Sequence, residues 1–238
     1  MRDNEIAAAW HGLAACERCS IRDLVLFADL TNEDFNLFHL PIEDIWVPPG
    51  AALFQPGQDA LALYTVREGL FKLEHYLPDG THRIVSLMAQ GDVLGLEATV
   101  VPQHEHAAIA LQPSKVCRIP RETVTRLTPK LHRQLMNKWH EAMQRSHQCT
   151  RDLSTGSARQ KVARLFLMLA PHSVERCRLF PREDVGALLG ITPQTASRTV
   201  AQFKRSKLVR EVAPNIFQRN MAALKAIAVE SEDSHPLG

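Results

Sequence analysis

The sequence predicts an α+β protein: an antiparallel β-roll of the jelly-roll kind, a long helix, and a C-terminal winged helix-turn-helix. Three observations carry that prediction. Short β-type runs broken by turn residues fill 31–120, a narrow apolar stripe at helical spacing follows in 121–154, and a helix–Gly–helix pattern occupies 179–208. With 238 residues, 45% of them apolar, the chain can bury a core in each of two parts.

The N-terminal segment, 1–30, contains Trp10-His11-Gly12 and then Cys16-Glu17-Arg18-Cys19. Two thiols at that spacing form a bidentate clamp, and a closed metal site needs about four ligands, so further donors must come from elsewhere in the chain. In 31–120, Asn32-Glu33-Asp34 starts a helical turn, and β-type runs follow at 51–54, 60–66, 70–77, 81–88, 93–96 and 107–119. Turn residues separate them at Pro56-Gly57, Glu68-Gly69, Pro78-Asp79-Gly80, Gln90-Gly91-Asp92 and Gly95, a spacing that suits an antiparallel roll. His75, His82, His104 and His106 also fall here. His104 and His106 share a face only on a strand, and the preceding Pro102-Gln103 makes a solvated loop the expectation.

Residues 121–154 turn helical, with Val124 and Leu127 opening the stripe and Met136, Trp139, Met143, Ser146 and Thr150 continuing it. Such a seam pairs with a second copy, packs on the chain's own roll, or divides between the two along its length. Thr155-Gly156 reads as a hinge. The part from 155 to 230 begins with Ser157 as a helix cap before Val162, Leu165, Phe166 and Leu169, which share one face. In the helix-turn-helix, Val185, Leu188 and Leu189 end at Gly190, which can take the positive φ of a sharp turn. Thr192 caps the second helix, Pro193 takes its first position, and Ala196, Val200 and Phe203 face inward. Gln194, Ser197, Arg198 and Gln202 then face outward, joined by Thr192 and Thr195 at the helix start and by Lys204, Arg205 and Lys207 at its end. Arg pairs two donors with guanine, Gln matches adenine, and lysines reach phosphates, so this face suits double-stranded DNA. A small wing at 209–217 turns at Pro214-Asn215, a helix runs over 221–229, and the tail 231–238 is expected to be disordered.

A net charge of +2 points to no global attraction for nucleic acid, yet Lys and Arg far outnumber acids between 157 and 207. No apolar stretch approaches a membrane span and Arg2, Asp3 and Glu5 do not resemble a secretory leader, so a cytoplasmic protein with reduced cysteines is expected. Nothing groups a nucleophile, a base and oxyanion donors, so no enzyme is expected. The reading from another functional class is a redox or effector-binding protein whose helix-turn-helix mediates protein contacts.

In its order of roll, long helix and reader the chain resembles the Crp/Fnr family of bacterial transcription regulators. The resemblance is carried by Gly57, Gly69, Gly80, Gly91-Asp92 and Gly95, by Val116-Cys117-Arg118-Ile119-Pro120, and by Leu189-Gly190-Ile191-Thr192 leading into Thr195-Ala196-Ser197-Arg198. It implies a cyclic-nucleotide-binding-like roll, a homodimer on a palindromic promoter site, and RNA polymerase as a partner. Cyclic-nucleotide-binding members carry Gly-Glu and later Arg-Ser where this chain has Gly95-Leu96 and His106-Ala107, which argues against cyclic AMP. Likeness to the Fnr branch implies Cys16, Cys19 and Cys117 as ligands of an iron-sulfur cluster responsive to oxygen. Val25 stands where that pattern has another cysteine, leaving the fourth ligand to a residue such as Asp23 or His11. Three alternatives stay open: a disulfide or different metal, relic cysteines, and gating by haem or a small molecule. Cys149 and Cys177 are expected to be ordinary buried thiols.

Overall fold

The computed structural model describes residues 42–125, 129–169 and 175–229. The segment with Cys16 and Cys19, the turn at Asn32, Leu127 and the tail 231–238 lie outside the described residues, as do His11, Asp23 and Val25. The chain divides into two compact units. The first ends at Tyr76 and resumes over Val85–Arg145; the second comprises Leu77–Ile84 and everything from Ser146.

The roll is built from eight strands: β1 (Glu43–Val47), β2 (Ala52–Phe54), β3 (Ala62–Glu68), β4 (Leu70–Tyr76), β5 (His82–Ala89), β6 (Val93–Leu94), β7 (Ala107–Ala110) and β8 (Ser114–Pro120). They form two four-stranded sheets, β1-β8-β3-β6 and β2-β7-β4-β5. Val47, Phe54, Val66, Phe71, Met88, Leu94, Ala108 and Val116 make one buried cluster of this roll. The run at 107–119 is two strands in different sheets, with Gln112-Pro113 between them. Residues 96–99 form a short 3-10 helix, not the end of a strand, because Gly95 adopts a left-handed φ of 74°. At the β3–β4 turn Gly69 has φ +100°, and a Cβ there would lie 2.1 Å from Ser114 Oγ. His104 is buried, contrary to the expected solvated loop. Its ring stacks on Phe54 at 3.7 Å between centroids, and its Nδ1 lies 2.8 Å from Glu97 Oε1. Two backbone bonds explain this, since His104 donates to Gln58 and accepts from Gly57, which pins the segment to the roll.

Two helices follow the roll, α1 (Arg121–Thr125) and α2 (Pro129–Ser154), and α2 belongs to the first unit as far as Arg145. Val124, Leu131 and Leu135 join Leu63, Leu96 and Ile119 in a second buried cluster, with Trp139 and Ala142 packed against it. The seam therefore divides. Trp139 leans on the roll, whereas Met136 and Met143 are 46% and 52% exposed and Thr150 is exposed.

The second unit contains α3 (Ala158–Met168), β9 (Arg176–Arg178), α4 (Arg182–Leu189), α5 (Pro193–Arg205), β10 (Val209–Ala213), β11 (Ile216–Arg219) and α6 (Met221–Ala228). Ser157 and Gln160 cap α3 reciprocally. Phe166 of α3 meets Phe203 of α5 and Phe217 of β11 at 6.2 and 5.5 Å, the aromatic centre on which the helices rest. Strand order β10-β11-β9 makes the wing a three-stranded sheet; β9 adds a strand that its three residues give little sign of.

Candidate nucleic-acid interface

The corner between α4 and α5 is set by backbone geometry. Gly190 ends α4 with φ 62° and ψ 40°, and its N–H donates to Gly186 O. Ile191 N–H donates to the same carbonyl at 3.1 Å. The helices approach so closely that a Cβ on Gly186 would sit 2.7 Å from Ile191 O and 3.3 Å from Pro193 N. Gly186 is thus a second essential glycine of the corner, which a reading by spacing alone misses. At the start of α5, Thr192 Oγ1 accepts from Thr195 N–H at 3.1 Å and shares a further hydrogen bond with Thr195 Oγ1 at 2.9 Å. Pro193 occupies the first helical position, where its missing N–H costs nothing.

Below the surface, Ala196, Val200 and Phe203 are buried as their spacing requires, and Thr199 joins them by donating to Thr195 O at 2.8 Å. Above it, Gln194, Ser197, Arg198 and Gln202 are exposed, and their side chains have no hydrogen bond or ion pair among the described residues. An exposed edge of donors and acceptors with no internal task can pair with an outside partner of matching pattern.

The basic residues near this edge divide into free and engaged ones. Arg205 and Lys207 are exposed, whereas Lys204 Nζ pairs with Glu211 Oε2 of β10 at 2.5 Å. Glu211 also accepts from Asn215 N–H in the wing turn, so one carboxylate ties the end of α5 to the wing. Hydrogen bonds from Lys204 and Asn215 hold its carboxyl below the usual range. Between these elements lies an open groove of about 1070 Å³, lined by Lys204, Lys207, Arg210, Glu211, Gln218 and Met221 among others. Two arginines work inward. Arg219 Nη1 donates to Phe166 O at 2.6 Å, and Arg164 donates to Ala228 O, Thr155 O and Asp152 O. Burial pushes the Cys177 thiol up to about 11, so it stays protonated and unreactive, and Cys149 is buried as well.

Of the three candidate metal-binding cysteines, Cys117 alone lies within the described residues. It is buried on β8, where its thiol donates to Asp44 Oδ1 at 3.5 Å. Arg67 and Lys115 reach the same carboxylate at 2.7 and 2.8 Å. Burial pushes the Asp44 carboxyl up, but the hydrogen bonds from Lys115 and Arg67 outweigh it and hold the group below its usual range.

A cyclic nucleotide-binding domain matches residues 44–130, and a Crp-like helix-turn-helix domain matches residues 160–227. The fumarate and nitrate reduction regulatory protein of Vibrio cholerae is 29% identical over 92% of both chains, and that of Yersinia pestis is 28% identical over 90% of both. FixK2 from Bradyrhizobium japonicum superposes with a TM-score of 0.72 at 21% identity, over 81% of this chain and 100% of that one. A CRP-family transcriptional regulator from Thermus thermophilus gives 0.70 at 20% identity, over 80% and 100%. Where cyclic-nucleotide-binding members carry Gly-Glu and Arg-Ser, this roll has Leu96, buried in the apolar cluster, and His106-Ala107, which offer no carboxylate and no guanidinium at those two places.

Proposed function

The chain belongs to the Crp/Fnr family of transcription regulators, and on that premise we propose that it reads a palindromic DNA site as a homodimer, one α5 helix to each half-site. The observation that carries this reading is the exposed Gln194/Ser197/Arg198/Gln202 edge, held by a tight Gly186–Gly190 corner and free of internal partners. Two such readers about a two-fold axis meet half-sites about 34 Å apart, which requires a pairing surface elsewhere. The exposed Met136 and Met143 on α2 offer one, with Ser146 and Thr150 extending it along the helix. Arg198 reads a guanine, Gln194 brings an amide that both donates and accepts, and Thr192, Thr195, Arg205 and Lys207 position the helix on the backbone. RNA polymerase is the further protein partner of a regulator so placed. The test is a gel shift with the full chain against palindromic and scrambled duplexes at moderate salt. Preferential retention of the palindrome supports the reading; equal, salt-sensitive binding of both overturns it.

The sensing input we assign to Cys16, Cys19 and Cys117, supported by the C-x-x-C spacing and by the polar surroundings of Cys117 beside Asp44. An iron-sulfur cluster there would supply an oxygen-sensitive redox centre. Its fourth ligand is a non-cysteine group such as Asp23 or His11, since three thiolates are one short of the usual four. Anaerobic purification with iron, sulfide and zinc analysis tests it: iron and sulfide in equal amounts support a cluster, and zinc or no metal overturns it.

A further inference from the structure

Asp92 sits in the tight turn between β5 and β6 and is 6% exposed, in a place where a carboxylate is expensive. The turn fixes it firmly: Val66 N–H donates to Asp92 O, Asp92 N–H donates to Ala89 O, and Gly91 N–H donates to Val66 O. One carboxylate oxygen accepts from Ala89 N–H at 2.6 Å. The other meets Arg145 Nη2 of α2 at 2.5 Å. Arg145 Nε is itself buried without a partner, so the guanidinium is drawn inward for this one contact.

We propose that Asp92 and Arg145 form a latch that fixes the rotation of α2 on the roll and thereby decides which face the helix offers to a second copy of the chain. Residues 143 and 145 lie about 200° apart around a helix, so an Arg145 held against the roll turns Met143 outward. Met136, seven residues earlier, falls within about 20° of Met143 and turns outward with it. The apolar packing of Leu131, Leu135 and Trp139 supports the same rotation nearer the start of α2 but reaches no further along it than Ala142. The latch secures the last part of the helix within the first unit.

The same pair is acid-sensitive. Burial raises the Asp92 carboxyl to about 6, against the pull of Arg145, the Ala89 N–H and Lys138; the charged groups with the largest influence on it are Arg145, Lys138 and Glu141, all on α2. Because Arg145 lowers that value, proton and guanidinium compete for the carboxylate. The pair is whole above about pH 6 and opens as the pH falls through it, while Asp92 stays in its turn. Against the unfolded chain the effect has the other sign: the buried charge costs stability at neutral pH, and acid removes that cost. Opening of the latch is therefore distinct from acid unfolding.

The proposal rests on the dimer reading above for its consequence, and the experiment keeps the two apart. Hydrogen exchange over 138–145 of the full chain, corrected for intrinsic rates, is followed from pH 7.5 to 5 alongside sedimentation equilibrium, for wild type, D92N, R145M and R145K. In wild type, exchange rises at least about tenfold with a midpoint near pH 6. D92N and R145M start at the raised rate with no pH step, and R145K, which keeps the charge, retains the step. The dimer weakens in parallel. D92N with wild-type protection at pH 7.5, or with the same pH step, overturns the latch. A wild type that sediments as a monomer at every pH while the exchange step persists overturns the dimer reading and leaves the latch standing.

Discussion

Replacing Gly186 with Ala adds one carbon to the inside of the corner between α4 and α5. That carbon would lie 2.7 Å from Ile191 O, 3.3 Å from Pro193 N and 3.5 Å from Pro193 Cδ, and the first two are backbone atoms that no rotamer change can move. Overpacking of this kind costs about 1–3 kcal/mol. The better helix propensity of Ala offsets about 0.5–1 kcal/mol of it, so the expected net destabilisation is centred near about 1 kcal/mol and does not exceed about 2.5 kcal/mol. Relief of the clash must displace the Ile191–Pro193 segment, which is the start of the recognition helix, so G186A is expected to lose affinity for the palindromic duplex even where it is fully folded. Urea denaturation measures the first effect and fluorescence anisotropy with labelled duplex the second. A G186A protein as stable as wild type, binding DNA as tightly, would refute the reasoning that the corner depends on absence of a side chain there.

Arg198→Ala should leave the melting temperature unchanged and weaken binding by about 1–3 kcal/mol with relaxed preference at one base pair; a uniform loss across all sequences would assign Arg198 to phosphate. Gly69→Ala should destabilise the roll, because φ +100° disfavours any side chain and the new Cβ would press on the backbone Cα of Ser114 as well as on its side chain; chemical denaturation that gave G69A the stability of wild type would contradict this. The Lys204–Glu211 pair is about half exposed on the lysine side, so a double-mutant cycle should give no more than about 1 kcal/mol of coupling. Since the Glu211 carboxyl lies below its usual value when folded, that coupling is present above about pH 4.5 and fades as the pH falls further; coupling unchanged at pH 3 would contradict the assignment.

The reader was legible because its signals are local. Gly190, Thr192, Pro193 and the inward Ala196, Val200 and Phe203 each act within a few residues, and the structure puts each where its chemistry requires. The wing turn at Pro214-Asn215 and the Ser157 cap were legible for the same reason. What the sequence hides is contact across long separations. Glu43–Val47 has little strand pattern of its own and becomes one by pairing with β8. Gly186 looks like an ordinary helix residue until Ile191 O closes over it. Arg219 and Phe166, or Asp92 and Arg145, are partners that no spacing rule connects. The seam on α2 divided because one stripe met two environments, with Trp139 against the roll and Met136 and Met143 in the open.

The division of the basic residues into free and engaged bears on how binding responds to ions. Every phosphate neutralised by an arginine or lysine releases condensed counterions from the duplex and adds about 0.9 to the steepness of log affinity against log salt. Arg164 and Arg219 spend their guanidinium groups on backbone carbonyls, and Lys204 already holds a carboxylate. They contribute little to that release, so the salt slope of this protein should be shallower than its count of cations suggests, and a larger share of its affinity should persist at high ionic strength.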